Sequence, residues 1–135
     1  MDRGPRGQGE AVVHHASVGG DAGDLGIGQF AGPGYRGCRF VGEIDFTSAG
    51  PVQSTLTSMI LPGGGTVVAD LSQVTFIDSS GLGALVQAHR TALERETRLV
   101  VVASSPVLRL LRVTGLDTVL ETYDGLDAAE AAIAG

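Results

Sequence analysis

Asp78, Ser79 and Ser80 stand together in the stretch Val67-Val68-Ala69-Asp70-Leu71-Ser72-Gln73-Val74-Thr75-Phe76-Ile77-Asp78-Ser79-Ser80-Gly81-Leu82-Gly83-Ala84-Leu85. A strand-like run at 66–71 and a short apolar run precede them, and a helical pattern follows. Two hydroxyls therefore sit where a helix begins, beside a carboxylate. A helix start presents unpaired N–H groups and the positive end of the dipole, so a phosphate is well accommodated there. No neighbouring residue is placed to attack a substrate. Read alone, the three side chains are good helix caps, since Ser and Asp are the favoured N-cap residues. Gly81 and Gly83 then leave the helix start uncrowded, which suits approach by another protein's active site. The pattern is that of a site that receives a phosphate.

Other chemistries lack their parts. The only His after Ser79 is His89, on an apolar helical stripe, and the chain has no Gly-x-Ser-x-Gly elbow for a serine hydrolase. Phosphorylation of an Asp at a strand end, as in receiver domains, needs an acidic pair for Mg²⁺ and a Lys. There is no Lys anywhere in the chain. Gly63-Gly64-Gly65 lacks the Gly-Lys-Ser/Thr ending of a phosphate-binding loop, and no G-x-G-x-x-G is present. His14 and His15 have no Cys or acid spaced for metal. The expectation is a protein without catalysis, cofactor or metal.

The elements that must position these residues alternate between strand and helix. A strand at 36–42 leads to a helix that Ser48 can cap, with Pro51 in its first turn and Val52, Leu56, Met59 and Ile60 on one face. Pro62-Gly63-Gly64-Gly65 ends it and turns the chain into the strand at 66–71. The helix after Ser80 carries Leu82, Leu85, Val86, His89 and Leu93 on one stripe, and Gln87, Arg90, Glu94 and Arg95 on the other. A continuous apolar strand at 98–102 reads as covered on both faces. Ser105-Pro106 opens a third helix, with Val107, Leu110 and Leu111 as its core face and Gly115 as its stop. A short strand at 119–123 and a helix capped by Asp124, with Asp127 in capping-box position, complete the pattern. Such alternation implies right-handed crossovers and a mostly parallel or mixed sheet.

Length and composition suit one domain. The 135 residues are 43% hydrophobic and 18% charged, with a net charge of −6. Acidity without a basic stripe argues against nucleic acid and anionic membranes as partners. Lone Cys38 forms no internal disulfide and fits a reducing cytoplasm. The longest apolar runs fall far short of the roughly 20 residues that span a bilayer, and no targeting segment follows Arg3 and Arg6. Eleven of the 21 glycines fall at or before Gly37. Residues 1–26 are expected to be a flexible Gly-rich tail, mostly disordered, and 27–135 the domain, with a short, poor first strand at 27–30.

The Asp78-Ser79-Ser80-Gly81-Leu82-Gly83 segment resembles the signature of the STAS family, the domains of sulfate transporters and anti-sigma factor antagonists. Three further stretches fit in the same order: Gly42-Glu43-Ile44-Asp45 with Ser48-Ala49; residues 100–102 with Ser105-Pro106 and Arg109-Leu110-Leu111; and Thr114-Gly115-Leu116-Asp117. One short motif is weak, and four in register are strong. The resemblance spans roughly 36–133 and is closest to the small single-domain antagonists of bacteria. It implies a mixed, mostly parallel sheet packed with about four helices, and phosphorylation at Ser79, with Ser80 as the second choice. It also implies a partner surface of Asp45, Asp78, Ser79, Ser80, Gly81 and Leu82. The implied partners are an anti-sigma factor with serine kinase activity, which binds the unphosphorylated form, and a serine phosphatase. Two other roles share the fold: a scaffold subunit of a stress-sensing assembly, and a soluble accessory subunit of a lipid or anion transporter.

Overall fold

Two Val-rich runs occupy the middle of the sheet because both their faces are covered. The computed structural model describes residues 10–14 and 25–135, and among them forms a six-stranded sheet whose strands lie side by side in chain order. The strands are β1 Glu10–His14, β2 Leu25–Gly32, β3 Tyr35–Ile44, β4 Thr66–Ile77, β5 Arg98–Ala103 and β6 Glu121–Tyr123. β1, β2 and β3 pair antiparallel; β3 to β6 pair parallel, each crossover carrying a helix. The helices are α1 Ala49–Met59, α2 Ser79–Glu94, α3 Ser105–Thr114 and α4 Leu126–Ala134. This is the mixed, mostly parallel α/β sheet with four helices that the resemblance implies.

Side-chain alternation sorts the core into two layers. Leu99, Val101 and Ala103 of β5 join Phe40, Ile44, Leu71, Val52, Leu56, Leu85 and Leu111 under α1, α2 and α3. Val100 and Val102 point the other way, with Phe30, Tyr35, Val68 and Ala129, under α4. The Tyr35 hydroxyl donates to Glu130 Oε2 at 2.5 Å, which ties α4 to the hairpin end of the sheet. Asp70, only 2% exposed on that second face, accepts from Arg39 Nε at 3.0 Å, and the Arg39 guanidinium lies 4.8 Å from the centre of the Phe30 ring. A buried carboxylate is tolerable because the guanidinium pairs with it.

Several sequence expectations need correcting. The strand-like run at 66–71 and the apolar run after it are one strand of 12 residues. β4 gains extra residues against β3 between Asp70 and Gln73 and between Val74 and Phe76. These bulges break the period of two, which hid the continuity. The expected tail boundary at 26 falls inside the sheet. β1 pairs with β2, and β2 runs from Leu25 to Gly32 rather than over 27–30; the remainder of that tail lies outside the described residues. β2 was hard to see because three of its eight residues are Gly, which supply backbone hydrogen bonds but no hydrophobic signal. On α2 the buried face is Gly81, Leu82, Ala84, Leu85, Ala88 and Ala92, whereas Leu93 is 66% exposed and Val86 and His89 only half-buried. Small alanines, not the larger residues of the expected stripe, let this helix sit close to the sheet. The stretch at 119–123 is strand only over Glu121–Tyr123, after a 3₁₀ turn at Leu116–Thr118. Gly125 rather than Asp124 is the N-cap of α4.

Candidate functional site

The C-terminal ends of β3 and β4 carry the site. Ile44 and Ile77 are register partners, so the residues following them, Asp45 and Asp78, leave the sheet side by side. The Asp78 N–H donates to the Ile44 carbonyl at 3.1 Å and fastens the two loops together. Both side chains then act on their own backbone. Asp78 is the N-cap of α2: its Oδ1 accepts from the Gly81 N–H at 3.1 Å, and its carbonyl accepts from the Leu82 N–H at 3.0 Å. Asp45 closes a turn, accepting at Oδ1 from the Thr47 N–H at 2.9 Å and the Thr47 hydroxyl at 2.6 Å. Those hydrogen bonds favour the ionised form and hold the Asp45 carboxyl below its ordinary value.

Ser48 occupies the N-cap position of α1, but its hydroxyl makes no capping bond to the helix. It is buried instead and accepts from the Asp45 N–H at 3.0 Å. The cap expected there works as a brace for the Asp45 turn. A third loop reaches the same end of the sheet, where the Ser104 hydroxyl donates to the Val74 carbonyl at 2.6 Å.

Ser79 is the first residue of α2 and is exposed; Ser80, the second, is half-buried. The Ser79 hydroxyl has no hydrogen-bond partner among the described residues. His89 lies ten residues along the same helix, which at 1.5 Å per residue is about 15 Å away. It is the only His in the described stretch 25–135, so Ser79 has no imidazole base at hand. The described residues also hold no group of three His, Cys, Asp or Glu side chains fit to bind a metal. An exposed hydroxyl on a helix N-terminus can accept a group brought to it. Of the sequence-derived site residues, Asp45, Asp78, Ser79 and Ser80 are brought together at one end of the sheet. Gly81 and Leu82 are not at the surface: both are buried, and Leu82 is part of the core under α2. Their place in the pattern is to seat the helix. Phe46, 77% exposed in the Asp45 turn, is the neighbour that sequence reasoning passed over.

Comparison with known proteins bears on the family and the fold. A family model for the STAS domain matches residues 33–129. The anti-sigma-B factor antagonist of Listeria monocytogenes is 35% identical over 81 residues, covering 59% of this chain and 71% of its own. Among solved structures, an anti-sigma factor antagonist from Mycobacterium paratuberculosis superposes with a TM-score of 0.73 at 27% identity, over 82% of this chain and 95% of that one. The Bacillus cell fate determinant SpoIIAA in its phosphorylated form shares the fold at 16% identity, with a TM-score of 0.53 over 78% of this chain and 98% of its own.

Proposed function

The chain belongs to the STAS domain family, and we propose that within it this protein is an anti-sigma factor antagonist gated by phosphorylation of Ser79. In its unphosphorylated form it binds an anti-sigma factor that is also a serine kinase, and so frees a sigma factor. The kinase transfers the γ-phosphoryl of ATP to the Ser79 oxygen, leaving ADP and releasing the hydroxyl proton. A serine phosphatase reverses the step. The chain itself binds and is acted upon; it does not catalyse.

The observation that carries this reading is the unengaged, exposed hydroxyl of Ser79 at the first position of α2, beside Asp78 and the Asp45 turn. A phosphate there adds about −1.5 to −2 charges. Within the chain, the helix dipole and the free N–H groups of the first turn offset that charge, although Asp78 already occupies the Gly81 N–H. Across the interface the cost is larger, because docking must desolvate a phosphate already flanked by Asp45 and Asp78. The fold survives and the complex does not. Antagonists among the relatives and neighbours support the reading, as does the acidic surface around Ser79.

Incubation of the full chain with the serine-kinase anti-sigma factor of the same genome and ATP, followed by peptide mass spectrometry, tests the acceptor. Phosphate is expected on Ser79, and Ser79→Ala should abolish it. Full labelling of that variant would move the site to Ser80. Ser79→Asp should bind the anti-sigma factor much more weakly while melting as the parent does. Loss of its cooperative melt would make Ser79 a structural cap and end the switch argument.

A further inference from the structure

Among the described residues Phe46 stands out as an aromatic side chain exposed on a hydrogen-bonded turn. It is 77% exposed, at the middle of the turn that Asp45 Oδ1 closes onto the Thr47 N–H and hydroxyl. Behind it the Ser48 and Ala49 N–H groups both donate to the Asp45 carbonyl, at 3.1 and 2.9 Å. A single exposed apolar residue is ordinary on a protein surface. Here, however, Phe46 lies two residues from Ile44, whose carbonyl is bonded to the Asp78 N–H, one residue before Ser79. Any kinase that brings ATP to the Ser79 oxygen must cover this turn, since a specific interface buries roughly 800 Å² on each partner.

The ring does not stand alone. Val41 and Phe76, 42% and 47% exposed, lie at the same end of the sheet. The Val100 and Val102 side of the sheet is covered by α4, whereas these two are left open. Phe76 pairs in register with Glu43, so an acidic group stands beside the apolar one, and Asp45 and Asp78 follow at the strand ends. A turn whose backbone is already hydrogen-bonded loses little backbone freedom on docking, and aromatic residues ringed by polar groups are the usual centres of binding energy.

We infer that Phe46 is the aromatic anchor of the docking surface, seated in an apolar recess of the anti-sigma factor whose rim carries Arg or Lys side chains facing Glu43, Asp45 and Asp78. The inference rests on the antagonist reading. It assigns the affinity to Phe46 and the switching to Ser79, two residues with separable effects.

Calorimetric titration of the full chain with the serine-kinase anti-sigma factor of the same genome tests it, using wild type, Phe46→Ala, Phe46→Leu and Ser79→Asp. Phe46→Ala should weaken binding at least about tenfold, with Phe46→Leu between it and wild type. Phosphorylation of Phe46→Ala should show a raised KM with kcat little changed, because Phe46 serves docking and takes no part in the transfer. Wild-type affinity in Phe46→Ala, with Ser79→Asp still weakened, would overturn the anchor and leave the antagonist reading standing. No binding by wild type would overturn both. If sedimentation of the chain alone showed a dimer that Phe46→Ala dissolves, the ring would serve contact between copies, and the inference would fall.

Discussion

At the scale of single residues, the two glycines of the first turns of α2 do opposite work. A Cβ on Gly81 would lie 2.6 Å from Ile77 Cγ1 and 2.8 Å from Ile44 Cγ2, both in the packed core. A Cβ on Gly83 would meet nothing within 4 Å. Gly81→Ala should therefore destabilise by about 1–3 kcal/mol through overpacking, and Gly83→Ala should stabilise by up to about 1 kcal/mol through helix propensity. Denaturant titration of the two variants checks the sign of each. Asp78 is both a neighbour of Ser79, the proposed acceptor, and the cap of α2. Asp78→Ala should cost about 1 kcal/mol of stability from the lost cap, while Asp78→Asn keeps a capping oxygen and removes the charge. Binding measured on Asp78→Asn thus separates the cap from the electrostatics. Both serines and Asp78 were legible in the sequence, because capping types at a strand-to-helix change are a local signal, whereas Asp45 entered only through the family resemblance. That Gly81 and Leu82 face inward was not, since it depends on where Ile44 and Ile77 lie.

At the scale of elements, the antiparallel end of the sheet is where sequence and structure part most. Leu25, within the stretch read from sequence as a flexible Gly-rich tail, is 2% exposed in the larger core layer. Leu25→Ala should cost on the order of 2–5 kcal/mol, as for other large-to-small core changes. A chain beginning at Ile27 should accordingly melt well below the full chain; equal melting temperatures would show that β1 and Leu25 contribute nothing. At the opposite edge, Arg98 of β5 is bidentate with Glu121 of β6, through Nε at 2.9 Å and Nη2 at 2.5 Å. The Arg98 hydrogen bonds hold the Glu121 carboxyl below its ordinary 4.5. A carboxyl lowered on folding stabilises the native state above its unfolded value, and loses that contribution as pH falls through the folded one. The pair is partly exposed, so the effect is small and salt-screened. Glu121→Gln should therefore lower stability slightly at neutral pH, leave it unchanged well below pH 4.5, and so flatten the acid side of the stability–pH curve.

At the scale of the molecule, the sheet separates a heavily covered face from a lightly covered one. α1, α2 and α3 bury one face, and α4 covers part of the other. Cys38, in β3, is fully buried in the larger layer, and burial pushes its thiol up to about 12. It should therefore be inert to alkylating reagents in the native state and react only on opening. Its labelling rate in the full chain then reports opening of the sheet centre. Ser79→Asp should leave that rate within about twofold of wild type if the switch acts at the surface; a large acceleration would mean that charge at the start of α2 loosens the core. No helix among the described residues is long and apolar enough to cross a membrane.

The sequence by itself determined the alternation of strands and helices from residue 36 onward and the faces of α1 and α3. It also determined the helix stop at Gly115, which adopts φ +76°, and the phosphate-receiving look of Asp78-Ser79-Ser80. Those features are written in neighbours one to four residues apart, by periodicity, capping and turn chemistry. Only the tertiary structure decided that β4 is one bulged strand and that glycine-rich residues 25–32 form a strand of the sheet. It alone placed the Asp45 turn against Asp78 and left Phe46 in water beside Ser79. The continuity of β4 and the placing of the Asp45 turn depend on pairing between strands about 30 residues apart, and β2 depends on pairing with β1 and β3. A backbone hydrogen bond such as Asp78 N–H to Ile44 carbonyl uses no side chain, and so leaves no trace in the order of residue types.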